Sequence, residues 1–184
     1  MVVRTCREYR AAKAAGYYAY TTFAMKMEGF VSAASAILEA ATSAQVPTVS
    51  HLRSPRIGVS DLHLLTASIL PIIGPDDEGK IAALGNMTLR ELALSGKVSL
   101  VDVSGLRLNL VFNGTGMVLC ELLRADLDAD GTEEILVQYH TYAVGGTFGA
   151  SSIGVLRRIG PDAPLSYQHW TPKSGLPTSP PAPN

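Results

Sequence analysis

Leu106-Arg107-Leu108-Asn109-Leu110-Val111-Phe112-Asn113-Gly114 reads as a strand running into a tight turn. Leu106, Leu108, Leu110 and Phe112 alternate with Arg107 and Asn109, the period of two expected of a strand with one face in a core. Asn113-Gly114 favours the tight turn whose two central residues take positive φ, so the chain is expected to reverse into a partner strand over residues 117–123. An acidic turn follows, then a β-prone run over 135–143. After it come the Gly145-Gly146-Thr147-Phe148-Gly149 turn and another run over 153–159. The C-terminal half therefore reads as an antiparallel meander of four or five strands.

Upstream the period changes. Tyr20, Phe23, Met27, Phe30, Ala34, Ile37 and Ala41 recur at three-four spacing, which places them on one stripe of a helix. A free coiled coil would flank that stripe with charge. Here the flanks include Ala24, Val31, Ala33, Leu38 and Ala40, so the helix is expected to lie buried against a sheet or another helix. Gly16 separates it from a shorter helix over 6–15, and Pro47 closes the region. Residues 45–60 read as a loop. Ser60 or Asp61 is placed to cap a short helix running through Leu62, Leu64, Leu65 and Ile69 to Pro71. Thr88 and Glu91 form a capping-box pattern ahead of Leu92 and Leu94, with Gly96 as a stop. The fold class expected is α+β. A helical layer from residues 1–46 packs on a C-terminal antiparallel β-meander over 97–170, within a single domain of residues 1–170. Residues 171–184, with Pro172, Pro177, Pro180, Pro181 and Pro183, read as a mobile, disordered tail.

Composition supports a globular chain. Of 184 residues, 47% are hydrophobic and 17% charged, enough apolar material for a core and too little charge for disorder. The net charge is −1 and the basic residues are scattered, which argues against a nucleic-acid surface. No apolar run reaches membrane-spanning length, because Lys26, Glu28 and Pro71 break the longest ones. Met1-Val-Val-Arg-Thr5 does not read as a signal peptide, and periplasmic and cytoplasmic bacterial locations both stay open. Cys6 and Cys120 are too few for a disulfide scaffold and read as free thiols, with pairing as the alternative.

The chemically specific segment is Asp126-Leu127-Asp128-Ala129-Asp130-Gly131-Thr132-Glu133-Glu134, followed by Ile135-Leu136-Val137. Acids at alternate positions of a tight loop supply the oxygens a hard cation wants, and an all-oxygen set suits Ca²⁺ better than Zn²⁺. An EF-hand is excluded, since its twelfth position would be Val137 inside a strand. The alternative is a solvated acidic hairpin in which Gly131 supplies positive φ. The spacing resembles the calcium loop of FG-GAP and VCBS repeats, whose Asp-x-Asp-x-Asp-Gly-x-x-Asp pattern precedes an aliphatic strand. That resemblance implies side-chain oxygens from Asp126, Asp128 and Asp130, the carbonyl of Thr132, and a closing carboxylate from Glu134 in place of aspartate. It covers about a dozen residues in one copy, too little for a propeller.

The other chemical patterns are weaker. Gly74-Pro75-Asp76-Asp77-Glu78-Gly79-Lys80 matches the start of a phosphate-binding loop, but Ile81 stands where Mg²⁺ needs a hydroxyl, so a turn before a helix or strand is expected. Gly149-Ala150-Ser151-Ser152-Ile153-Gly154 lacks the spacing of a nucleophile elbow. His51, His63, His140 and His169 show no metal spacing, and His140 reads as a strand residue on the polar face of the sheet. No catalytic residue is assigned. Tyr17, Tyr18, Tyr20, Phe23 and Phe30 read as core packing or, if exposed, as a partner site. The layout is similar to small bacterial proteins that join such a helix to one acidic loop, some of which act as immunity proteins. That similarity implies a non-enzymatic protein-binding domain that inhibits a toxin or effector. The alternative is a small hydrolase using the metal or a Ser/His pair.

Overall fold

The computed structural model describes residues 2–170. The proline-rich stretch over 171–184, expected to be a mobile tail, lies outside the described residues. The chain divides between Thr42 and Ser43 into two compact units.

In the first unit, helix α1 (Cys6–Ala14) starts where the Thr5 hydroxyl accepts the Glu8 N–H at 3.1 Å, and it ends before Gly16 at φ 79°. Helix α2 spans Thr22–Ser43. Two ion pairs join them, Lys13 to Glu28 at 2.8 Å and Arg10 to Glu39 at 3.7 Å. The apolar stripe of α2 is not buried as its pattern suggested: Phe23 is 74% and Phe30 72% exposed. Helix α1 is nine residues long and buries only Ala12, which is too little to cover a 22-residue helix.

The second unit is built on one sheet. Its strands are β1 (Ser99–Ser104), β2 (Arg107–Phe112), β3 (Thr115–Ala125), β4 (Glu134–Ala143), β5 (Gly149–Arg157) and β6 (Ser166–His169). They pair antiparallel in sequence order, so the fold is α+β with helices first and a six-stranded meander after. Asn113 and Gly114 turn at φ 48° and 76°, the two positive angles the Asn-Gly pair favours. The edge strands went unread because their signals are weak: β1 is exposed along its whole length and shows no alternation, and β6 has four residues.

One face of this sheet carries the core. Leu108 and Leu110, Met117 and Leu119, Ile135 and Val137, and Leu156 come from four successive strands. Against them pack Leu52, Leu65, Ile69, Leu89 and Leu92 from the segments preceding the sheet. Each such side chain contributes roughly 1.5–3 kcal/mol on burial, which makes this face the main stabiliser of the unit. The helix expected between Ser60 and Pro71 forms only as a 3-10 turn at Ala67–Ile69. Asp61 does not cap it but accepts the Gly58 N–H at 2.7 Å, which closes a local turn instead. The capping box is present: helix α4 (Leu89–Leu94) begins with Glu91 N–H on the Thr88 hydroxyl at 3.2 Å and the Glu91 carboxylate on Thr88 N–H at 2.8 Å. The stretch after Gly74 is helix α3 (Pro75–Ala82). The Asp77 carboxylate there accepts the N–H groups of Ile73 at 3.0 Å and Gly74 at 2.9 Å, so these amides face an anion already and offer no phosphate cradle.

The opposite face is polar and half-buried. Asn109, Val118, His140 and Ser151 lie in register across β2 to β5, and Gly116 pairs with Tyr142. The Tyr142 ring lies over Gly116, held there by its hydroxyl on Asn109 at 3.1 Å, and an added Cβ would stand 2.0 Å from the ring. Gly116→Ala should therefore lower stability by about 1–3 kcal/mol by forcing the ring aside. In a urea-denaturation cycle the cost should shrink markedly when Tyr142→Ala is added. Equal costs in both backgrounds would contradict this packing account.

Candidate metal centre

The acidic loop joins β3 to β4, and the preceding segment holds its base. Gln45 exchanges backbone hydrogen bonds with Asp126 at 2.9 and 3.1 Å. The Gly131 carbonyl accepts from the N–H groups of Thr48 and Val49 and from the Thr48 hydroxyl. Ala129 and Gly131 both take positive φ, 67° and 88°, and so tighten the loop. A Cβ on Gly131 would meet the Thr48 hydroxyl at 2.8 Å, so this glycine is needed for its angle and for its close neighbour.

The loop's carboxylates turn inward on its own amides. Asp126, 3% exposed, accepts from Ala129 at 2.8 Å with one oxygen and from Gly131 at 2.9 Å with the other. Asp128 accepts the Asp130 N–H at 3.1 Å, and Asp130 accepts the Thr132 N–H at 2.7 Å. Together these place one oxygen each from Asp126, Asp128 and Asp130 within 4.8 Å of one another, a spacing open to a shared cation. An oxygen that accepts one amide keeps a second lone pair, so these bonds orient ligands without consuming them.

The remaining expected ligand residues are Thr132 and Glu134. Thr132 is tied to the loop through its N–H on Asp130. Glu134 is fully buried as the first residue of β4; one of its oxygens accepts the Leu127 N–H at 2.9 Å and the other accepts from Arg157. Arg157, from the end of β5, also donates to Asp128, and its Nη1 lies 3.8 Å from Asp130. Its Nε is buried without an acceptor among the described residues. The guanidinium is therefore the loop's built-in counter-charge. No local motif contains this partner, because Arg157 lies 23 positions beyond Glu134. The available signal was topological: Leu156 pairs with Ile135, which brings a basic residue at the end of β5 beside the mouth of the loop.

The neighbouring Glu133 points to a separate cluster. Its carboxylate accepts from the Ser50 hydroxyl at 2.5 Å and from Arg53 at 3.0 and 3.1 Å. A second network joins Glu121 to Arg124 at 2.7 Å and to Arg56 at 2.8 Å. Both fasten residues 50–58 to the sheet.

These environments push the acids in opposite directions. Asp130 is held below the usual carboxyl range by the Thr132 N–H, with help from Arg157. Burial opposes the charge on Glu133, but Ser50, Arg53 and Arg124 together hold its carboxyl low. Burial pushes Glu134 up, against the pull of the Leu127 N–H and Arg157. Low-held carboxyls contribute stability above their unfolded pKa that is lost as pH falls. Glu134 has the opposite sign: its contribution is fully present below its unfolded pKa and is lost as pH rises through its raised folded value. Glu134→Gln, which keeps an acceptor for Leu127, should thus gain in melting temperature relative to the parent as pH rises from 4 to 8 in chelator. A difference independent of pH would refute that sign.

On the polar sheet face the His140 ring and the Ser151 hydroxyl stand 2.8 Å apart, and His140 stacks on Tyr142 with ring centres 6.0 Å apart. The distance is that of a base and a nucleophile, but Ser151 is exposed on an open sheet face. Cys6 and Cys120 are free, half-buried thiols. No helix among the described residues is long and apolar enough to cross a membrane. Comparison with protein-family models, with curated proteins and with solved structures finds no match to the chain.

Proposed function

We propose that residues 126–134 form a structural Ca²⁺ site in a non-enzymatic protein-binding domain. The observation that carries the metal reading is the trio of Asp126, Asp128 and Asp130 oxygens within 4.8 Å of one another. Charge supports it. When ionised, those three acids and Glu134 carry four negative charges against the one positive charge of Arg157. Carboxylates at this spacing repel by roughly 1–3 kcal/mol per pair, between the limits of bulk water and an effective dielectric of 20. One divalent ion would leave the cluster near neutrality. The cation would draw together the carboxylates of the β3–β4 connection and stiffen it, which is the work of a structural ion rather than of a reaction centre.

The binding role rests on the polar sheet face. Asn109, His140, Tyr142 and Ser151 give a surface of hydrogen-bonding and aromatic groups on a six-stranded support. Such surfaces suit recognition of a protein partner. The class of partner proposed is a toxin or effector that this domain inhibits; this part rests on analogy of layout. Its test is inhibition of a co-purifying enzyme, lost when Tyr142 and His140 are both changed to alanine.

The metal reading has its own test. A ligand that binds only the folded state stabilises it by about 2.7 kcal/mol at a hundred times its Kd. Saturating Ca²⁺ should accordingly raise the melting temperature by roughly 5–15 °C over excess chelator. Identical melting curves under the two conditions would defeat the proposal.

A further inference from the structure

The α1–α2 unit holds a groove that the calcium reading does not use. It has a volume of about 590 Å³ and lies among Val2, α1 and the start of α2, within the usual size of ligand sites. Tyr9, Tyr17, Tyr18, Tyr20, Phe23 and Met27 line it. Lys13 and Glu28, also in the lining, are 2.8 Å apart and neutralise each other. Tyr18, Tyr20 and Phe23 are 77%, 86% and 74% exposed, so their rings stand ready along the groove rather than in a core.

Flat exposed rings beside a groove are the chemistry that receives proline-rich chains. The rings pack on pyrrolidine faces, and tyrosine hydroxyls donate to the carbonyls that a polyproline helix leaves unbonded. The same chain carries a sequence of the matching kind. Pro177, Pro180 and Pro183 are spaced by three within Leu176-Pro177-Thr178-Ser179-Pro180-Pro181-Ala182-Pro183. A polyproline helix repeats every three residues, so this spacing would set the three rings on one edge. A ligand of this kind loses little conformational entropy on binding, which suits a shallow receptor. We propose that the aromatic groove of α1 and α2 is a receptor for a proline-rich segment, and that its occupant is residues 171–184 of this chain.

The test uses the full chain and a fluorescent peptide of residues 171–184, followed by anisotropy. A tethered segment competes at an effective concentration of order millimolar. The peptide should therefore bind full-length protein carrying Pro177→Ala, Pro180→Ala and Pro183→Ala at least tenfold more tightly than the parent. Adding Tyr20→Ala and Phe23→Ala to that triple variant should abolish binding with helicity unchanged, since both side chains are exposed. A peptide with the same three alanines should not bind. The proposal is overturned by equal affinity for parent and triple variant, by equal binding of the alanine peptide, or by binding that survives loss of Tyr20 and Phe23. It is also overturned if Tyr20→Ala and Phe23→Ala abolish a dimer that the proline changes leave intact, which would assign the groove to a second copy.

Discussion

Asp126→Ala is expected to cost about 2–4 kcal/mol in chelator and to remove the response to Ca²⁺ altogether. The first effect comes from hydrogen bonding. Asp126 is 3% exposed and accepts two loop amides, from Ala129 and Gly131. Truncation removes two part-buried hydrogen bonds to a charged group, each worth roughly 1.5–3 kcal/mol. Relief of repulsion from Asp128 and Asp130 offsets part of this, by about 1 kcal/mol at their partly exposed positions. The balance still favours the acid, because its carboxylate is buried and accepts two amides, whereas Asp128 and Asp130 are partly screened by solvent. Chemical denaturation with and without Ca²⁺ measures both effects. A variant that keeps parental stability would show that the inward turn of Asp126 does not hold the loop. One that keeps its Ca²⁺ shift would remove Asp126 from the site.

Arg157→Leu should behave in a way that separates two accounts of the loop. Without metal, the buried Glu134 carboxylate loses its guanidinium and keeps only the Leu127 N–H. Breaking a buried ion pair on one side costs about 3–5 kcal/mol, and the partial exposure of Arg157 reduces this to about 2–4 kcal/mol. With metal present, a positive charge next to the site has been removed, so Ca²⁺ should bind at least tenfold more tightly than to the parent. The variant should be less stable than the parent in chelator and show a larger rise in melting temperature on adding Ca²⁺. If Arg157 is the loop's sole cation, the same variant is destabilised and Ca²⁺ does not restore it.

The parts of the fold that were legible in the sequence are those where local chemistry and burial agree. Leu108, Leu110 and Phe112 alternate because one face of β2 is buried, and Asn113-Gly114 turns because both residues accept positive φ. The Thr88–Glu91 box reads from four residues because the cap is made by those residues alone. Three features needed contacts the sequence does not display. The stripe on α2 has the pattern of a buried face but is exposed at Phe23 and Phe30, since periodicity reports a face and not what covers it. β1 and β6 are edge strands, one exposed throughout and one of four residues, and neither alternates strongly. The segment after Ser60 has helix-compatible leucines, but Leu65 and Ala67 use their backbone groups on Leu89 and Met87, which leaves room for only a 3-10 turn.

The candidate site divides in the same way. Asp126, Asp128 and Asp130 are close in sequence, and loop geometry brings their oxygens together. The long-range partners of the loop, Arg157 from β5 and Thr48 from the preceding segment, depend on strand pairing and on the Gly131 carbonyl. No local pattern could supply them. Glu134 shows the limit most clearly, because its position in the motif implies a metal ligand while its burial sets it against Leu127 and Arg157.

Uptake of one divalent cation by the β3–β4 loop is measured by isothermal titration calorimetry of chelator-stripped protein with Ca²⁺ at pH 7. Saturable binding at one ion per chain is expected, abolished by Asp126→Ala and strengthened by Arg157→Leu. Titrations without saturable heat at several temperatures, or binding that Asp126→Ala leaves unchanged, would contradict it.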